Sequence, residues 1–186
     1  MSKKVALDQY NNDWYAREIG AGKLKQVLWY FANAIFFKAA WNPSSGLKVF
    51  LLKCFGARMG KGVVIKPAVN IKYPWLLTIG DHSWIGEEVW IDNLAPVSIG
   101  SHVCLSQGAM LLTGNHNYAT ETFDLMVKGI AIEDGAWVGA RALVCPGVTC
   151  RTHAVLTAMS VATSDLQPYT IYQGNPAQPV RERVVS

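Results

Sequence analysis

From residue 79 onward, apolar side chains recur at six-residue intervals. They fall at Ile79, Ile85 and Ile91, then at Ile99, Leu105 and Leu111, and after a gap at Ile132, Val138, Val144, Cys150 and Leu156. Four positions after each stands Ser83, Val89, Ala95, Val103, Ala109, Asn115, Ala136, Ala142, Val148, Ala154 or Ser160, and all but Asn115 are small. A helix repeats at about 3.6 residues and a half-buried strand at two, so neither yields a beat of six with two inward slots. A parallel β-solenoid does: each hexad forms one side of a coil, and each coil stacks on the last. The fold class predicted is therefore an all-β solenoid of hexapeptide repeats.

A weaker opening coil is expected at Met59, Ile65 and Ile71. Two extra residues near Tyr73-Pro74 and two more at Val97-Ser98 shift the register, and such slips belong at coil corners. Three hexads per coil give about five coils spaced about 4.8 Å apart, a stack roughly 20–25 Å tall.

Ahead of the beat, residues 1–20 are polar and aromatic and read as irregular. Leu24, Val27, Leu28, Phe31, Ile35 and Trp41 fit helical spacing, Asn42-Pro43-Ser44-Ser45-Gly46 is a turn, and a second short helix runs through Leu47, Phe50, Leu51 and Leu52 to Gly56. Residues 1–56 thus read as a helical region and 57–186 as the solenoid. The first helical stretch is too interrupted for a membrane span, which needs about 20 mostly apolar residues. Two readings stay open. It is either a cap over the solenoid's open end, or an interfacial helix with Trp29, Tyr30, Phe36 and Phe37 at the headgroups.

Composition narrows the picture. Hydrophobic residues make up 51% of the 186 and charged residues 16%, more apolar surface than a thin solenoid buries alone, which points to an oligomer interface or a membrane-facing surface. A net charge of +4 without a basic block suits a small anionic ligand or a lipid headgroup, and no nucleic acid partner is expected. Cys54, Cys104, Cys145 and Cys150 form no Cys-x-x-Cys pair and read as reduced thiols of a cytosolic protein. No apolar stretch follows Met1-Ser2-Lys3-Lys4, so no export is expected.

The candidate chemistry sits where the beat fails. Between Leu111 and Ile132 a loop must leave the coil, comprising Thr113-Gly114-Asn115-His116-Asn117-Tyr118 and continuing to about Gly129. Loops on rigid scaffolds carry function, and one rule-breaking residue in a regular pattern marks a place to look. His82, His102 and His153 each stand three residues after a hexad opener and should form one outward column of corner residues. His116 alone belongs to the loop and reads as a general base. Asp92 and Asn93 break the aliphatic pattern before a slip, so they serve either a ligand or a corner turn. Asn115 either orients His116 or contacts a ligand.

The repeat, the run Thr113-Gly114-Asn115-His116 and the tail Gly174-Asn175-Pro176-Ala177 together resemble the left-handed β-helix (hexapeptide-repeat) acyltransferases. Within them, Pro74-Trp75, Trp84-Ile85-Gly86-Glu87, Ser106-Gln107, Phe123 and the helical N-terminus with Phe55-Gly56-Ala57 are similar to the colanic-acid-type exopolysaccharide O-acetyltransferases. The left hand comes from the resemblance alone, because crossover connections ordinarily run right-handed.

The resemblance implies transfer of acetyl from acetyl-CoA to a sugar hydroxyl, with His116 as base, direct attack and no acyl-enzyme. Such a hydroxyl cannot attack a thioester unaided near neutrality, and imidazole, with an ordinary pKa of about 6.5, is the side chain suited to take its proton. General-base help of this kind is worth about 10²–10⁴ in rate. Ser106 reads as structural or acceptor-contacting, not as a nucleophile. The resemblance further implies Asn93 reaching the active site, Trp137 along the CoA arm, Ala140, Thr157, Ala158 and Thr163 lining the same channel between chains, and Arg181 near the CoA phosphates or adenine. Arg183 and Arg141 are weaker candidates. It also implies a homotrimer with sites between neighbouring solenoids, and no metal. The acceptor is an exopolysaccharide sugar precursor, free or lipid-linked, the latter giving the N-terminus a peripheral membrane role.

Rival readings are a non-catalytic solenoid scaffold and a γ-type carbonic anhydrase. The latter needs three zinc histidines, two usually five residues apart, and no such pair occurs here. An acyl-carrier-protein donor is a variant of the main reading.

Overall fold

The computed structural model describes residues 4–185; residues 1–3 and 186, which the boundaries above include, lie outside them. The eleven apolar positions all point inward, none more than 2% exposed. Of the eleven residues paired with them, only Asn115 is exposed. Their backbones form three parallel sheets, the three faces of a prism. The first face stacks Arg58–Met59, Leu77–Ile79, Val97–Ile99, Ile130–Ile132 and Thr149–Cys150. The second stacks Val64–Ile65, Trp84–Ile85, Cys104–Leu105, Trp137–Val138 and Val155–Leu156, and continues into Thr170–Gly174 and Ala177–Glu182. The third stacks Asn70–Ile71, Trp90–Asp92, Met110–Leu112, Leu143–Val144 and Val161–Ala162. This makes five complete coils, and Leu166 with Thr170–Gly174 begins a sixth that the hexad count omitted.

Successive coils are 20 residues apart at Met59, Ile79 and Ile99, against 18 at Ile132 and Cys150. Both extra pairs fall at the corner joining third face to first, as a ladder with no slack in its strands requires. Here Asn93 is fully buried. Its amide donates to the Tyr73 carbonyl at 2.6 Å and accepts from the Tyr73 N–H at 3.0 Å. Both polar ends of the amide are thereby engaged at the enlarged corner, the turn role weighed for Asn93 above.

The corner from first to second face holds His82, His102, Gly135, His153 and Tyr169, every one at positive φ. His82 stacks on His102 at 5.4 Å, and His153 on Tyr169 at 4.7 Å. A Cβ at Gly135 would stand 2.6 Å from the His153 ring, so glycine divides the column into two stacks. The predicted column is therefore present. Among the described residues no three His, Cys, Asp or Glu side chains converge as a metal site would require.

Helices close the first coil, where a parallel sheet leaves backbone groups unpaired. Helix α1 is Asp13–Glu18, α2 Lys23–Ala32, continuing as a wider π-turn segment over Asn33–Lys38, and α3 Ser45–Cys54. The Trp29 indole donates to the Ile71 carbonyl at 3.0 Å. The Ser45 hydroxyl accepts from the Ile65 N–H and donates to its carbonyl, and the buried Lys48 ammonium donates to the carbonyls of Ile65 and Lys66. The helices lie over the first coil through one face of α2. The line Trp29, Asn33 and Phe37 is buried, whereas Leu24, Val27, Leu28, Phe31 and Ile35 face outward. Trp29 and Phe37 are accordingly core residues and not headgroup anchors.

Candidate active site

At the third-to-first corner of the third coil the chain leaves the prism as a two-stranded hairpin, Gly114–His116 against Leu125–Val127. Its base is tightly built. Buried Thr113 donates its hydroxyl to the Asp92 carbonyl at 2.9 Å and accepts from the Ala95 N–H, and the Lys128 N–H closes onto the Thr113 carbonyl. A side chain at Gly114 would overlap Leu94, and one at Gly129 would meet the Pro96 carbonyl oxygen at 2.8 Å. The hairpin therefore rises in a fixed direction.

His116 ends the first strand of this hairpin, part-exposed. Its Nδ1 lies 2.9 Å from the Phe123 carbonyl oxygen. A carbonyl only accepts, so Nδ1 carries the hydrogen of the neutral ring and Nε2 keeps its lone pair. The imidazole also stacks flat on the Phe123 ring, centroids 4.4 Å apart and planes within 7°. The Tyr10 ring lies tilted at 55°, its centroid 5.6 Å from that of the imidazole. Asn115 accepts the His116 backbone N–H through its side-chain oxygen at 2.8 Å, so it helps fix the strand, and the residue is exposed. An imidazole locked in one tautomer and orientation, with a free ring nitrogen, is equipped to take a proton.

Tyr10 comes from the segment expected to be irregular. Residues 4–19 instead cross to the hairpin. The Ala6 N–H donates to the Glu121 carbonyl, the Tyr15 hydroxyl donates to the Leu94 carbonyl, and the Trp75 indole donates to the Ile19 carbonyl. Tyr15, Ile19 and Leu125 form a second small core with Trp14, Tyr73, Trp75, Leu94 and Val127 packed against it. Burial pushes the Tyr15 and Tyr73 phenols up, and the Asp92 charge adds to both. The apolar Tyr10, Trp14 and Tyr15, paired with alternating Leu125 and Val127, are the signal that could have found this contact.

Trp137 projects outward from the second face, half-exposed, and its indole donates to the Ser106 hydroxyl at 2.9 Å. Ser106 is thus a brace for Trp137. Arg181 lies on the same sheet, paired in register through Ile171 and Val155 to Trp137, three strand spacings or about 14 Å away. Thr157 and Ala158 stack against Gly139 and Ala140 at the second-to-third corner, where a Cβ on Gly139 would meet the Ala158 backbone nitrogen at 2.5 Å. Thr163 sits at the opposite edge of the third face, at the corner of the hairpin. One chain therefore brings together Trp137, Ala140, Thr157 and Ala158, and leaves Thr163 and His116 elsewhere. Asp92 stands below the hairpin, held by Lys72 at 3.2 Å. Arg183 is occupied, donating to the Gly135 and His153 carbonyls.

Fold and site define a class: a hexapeptide β-solenoid that mounts one oriented imidazole outside its stacked core. No family model matches the sequence. Over 167 residues the chain is 39% identical to the provisionally named colanic acid biosynthesis acetyltransferase WcaF of Escherichia coli (strain K12), covering 89% of this chain and 91% of that protein. The crystal structure of a hexapeptide-repeat acetyltransferase, VCA0836 of Vibrio cholerae, superposes with a TM-score of 0.77 at 25% identity, over 89% of this chain and 96% of that one. The same protein from Vibrio cholerae O1 biovar eltor, complexed with acetyl coenzyme A, superposes at 0.79 with 23% identity, over 92% and 99% of the two chains. The chain belongs to the hexapeptide-repeat acetyltransferases, and its coils are those of a left-handed β-helix.

Proposed function

We propose that the protein is an O-acetyltransferase that moves acetyl from acetyl-CoA to a hydroxyl of an exopolysaccharide sugar precursor, with His116 as general base. The observation that carries this is the Nδ1 hydrogen bond to Phe123, which leaves Nε2 as the proton-accepting atom. In the proposed step the acceptor oxygen attacks the thioester carbonyl carbon as Nε2 takes the hydroxyl proton. Backbone N–H donors stabilise the tetrahedral oxyanion. The carbon–sulfur bond then breaks, and the imidazolium returns its proton to the departing thiolate.

The active unit is a homotrimer. The outward row of the second face carries Trp84, Cys104 and Trp137, and that of the third carries Trp90, Met110, Leu143 and Val161. The first face instead presents Arg58, Thr78, Ser98, Ala131 and Thr149, polar but for Ala131. Two apolar faces beside one polar face suit three prisms packed around an axis, second face against third. The hairpin at the rim of one chain's third face then overhangs its neighbour's second face, and His116 meets a donor lying along Trp137 and Arg181 of the adjacent copy. Ala140, Thr157, Ala158 and Thr163 bound that channel, small enough for the pantetheine to pass. Asp92 and Asn115 face the acceptor. The acceptor chemistry admits a free or lipid-linked sugar, and the donor together with four unpaired cysteines supports a cytoplasmic reaction.

Screening sugars by thiol release from acetyl-CoA tests the reading. At least one exopolysaccharide sugar should release thiol stoichiometrically with the O-acetyl product, and His116→Ala should abolish most of it. Turnover only with an acyl carrier protein donor, or acetylation at nitrogen alone, would contradict it.

A further inference from the structure

The outward face of α2 lies opposite the line that caps the solenoid. At 3.6 residues per turn, Leu24, Leu28 and Phe31 centre about 150° from Trp29 and Asn33, and Ile35 follows in the π-turn segment. They are 73%, 52%, 57% and 50% exposed, and Trp41 and Phe50 of the same helical region are exposed too. A contiguous apolar face of this kind on a folded protein marks a docking surface.

Its charge says what docks. Nine of the 17 Lys and Arg lie between residues 19 and 80, and none of the 13 Asp and Glu does. Exposed Lys23, Lys38 and Lys53 stand at the ends of the capping helices. A second copy of this face would bring like charges together, whereas an anionic surface neutralises them. Apolar and aromatic side chains ringed by lysines are the pattern of a helix lying in a bilayer interface, where alkyl burial and headgroup attraction act together. No helix among the described residues is long and apolar enough to cross a membrane, so the contact is lateral.

We propose that the protein binds the surface of an anionic phospholipid bilayer through the outer face of its helical cap, the solenoid standing away from the membrane. This deepens the lipid-linked-acceptor reading and rests on the proposed trimer in one respect: three parallel solenoids would set three caps in one plane. Binding by a single cap does not depend on the acetyl-transfer reading.

The test is co-sedimentation of the full chain with vesicles of phosphatidylglycerol and phosphatidylcholine, against phosphatidylcholine alone, and with Leu28→Glu/Phe31→Glu protein. The altered residues are exposed, so the variant should keep its native circular dichroism spectrum and its binding of acetyl-CoA. The wild type should partition onto anionic vesicles about tenfold or more better than onto neutral ones, weaken with added salt, and lose that binding in the variant. Equal partition onto both vesicle types would overturn the proposal, as would binding that survives the double substitution. So would a wild type that stays in the supernatant, or one whose light-scattering mass doubles and falls back in the variant, the mark of cap-to-cap association. Acetyl-CoA binding is read separately, so a failed vesicle assay and a failed acetyl-transfer reading give different results.

Discussion

The stacked coils and the hairpin at residues 113–129 obey opposite rules. Inside the coils each position is set by its neighbours above and below, so Ile85, Leu105 and Val138 sit in one fully buried file whose chemistry is only size and shape. The hairpin answers to no such file. Its residues are chosen for direction: Gly114 and Gly129 let it leave, Thr113 and Lys128 close its base, and Phe123 and Tyr10 flank one imidazole. The difference teaches that the repeat provides rigidity and the interruption provides chemistry. Damage to one should be separable from damage to the other.

The sharpest separation is His116→Ala. It should lower kcat by about 10²–10⁴ while the melting temperature stays within a degree or so of wild type, because the ring lies outside the coils. Leu105→Ala should do the reverse. It opens a cavity in the file and should cost about 2–5 kcal/mol in denaturant unfolding, with kcat per folded molecule little changed. A loss of stability in the first variant comparable to the second would erase the contrast.

Smaller effects probe the wall of the donor channel. Trp137→Ala should raise KM for acetyl-CoA by about tenfold with kcat nearly intact. Ser106→Ala removes only the brace on the indole and should raise it by a few-fold. If Ser106→Ala instead eliminated turnover, a nucleophilic serine would replace direct attack.

The smallest effect is on the pH dependence of folding. Burial, and secondarily the Asp165 charge, pushes the Cys150 thiol up to about 12 from an ordinary value of 9.0. A pKa raised by folding contributes stability that is intact below the unfolded value and lost as pH rises toward the folded one. Between pH 9 and 12 the unfolding midpoint should therefore fall, and it should fall less steeply in Cys150→Val. Lys48, held below its ordinary range by burial, pulls the other way in both proteins, so their difference isolates the thiol.

The regular part of the molecule was legible because burial in a solenoid depends on position alone. Ile79 or Leu156 declares itself by spacing, and so does the departure at Asn115. The cap was legible as helices, but not which of their faces meets the solenoid. Leu24, Leu28, Phe31 and Ile35 make the stronger apolar stripe, yet the first coil needs donors and acceptors, which Trp29, Ser45 and Lys48 provide. Apolar residues are not obliged to be inside, and no local pattern says which face of a cap meets an unpaired sheet edge. Asn93 was ambiguous for a related reason: a buried corner amide and an acceptor-facing one look the same in sequence. The crossing of residues 4–19 to the hairpin joins segments about a hundred positions apart, beyond the reach of periodicity.

The central claim is that one copy's hairpin imidazole acts on a thioester laid along another copy's second face. Co-refolding equal amounts of His116→Ala and Trp137→Ala chains tests it directly, with thiol release measured at acetyl-CoA well below the wild-type KM. If the two side chains serve a site from different copies, random assembly restores about a quarter of the sites, and activity should rise well above the sum of the separate variants. Activity that stays at that sum would place both residues in the same chain's site and contradict the account.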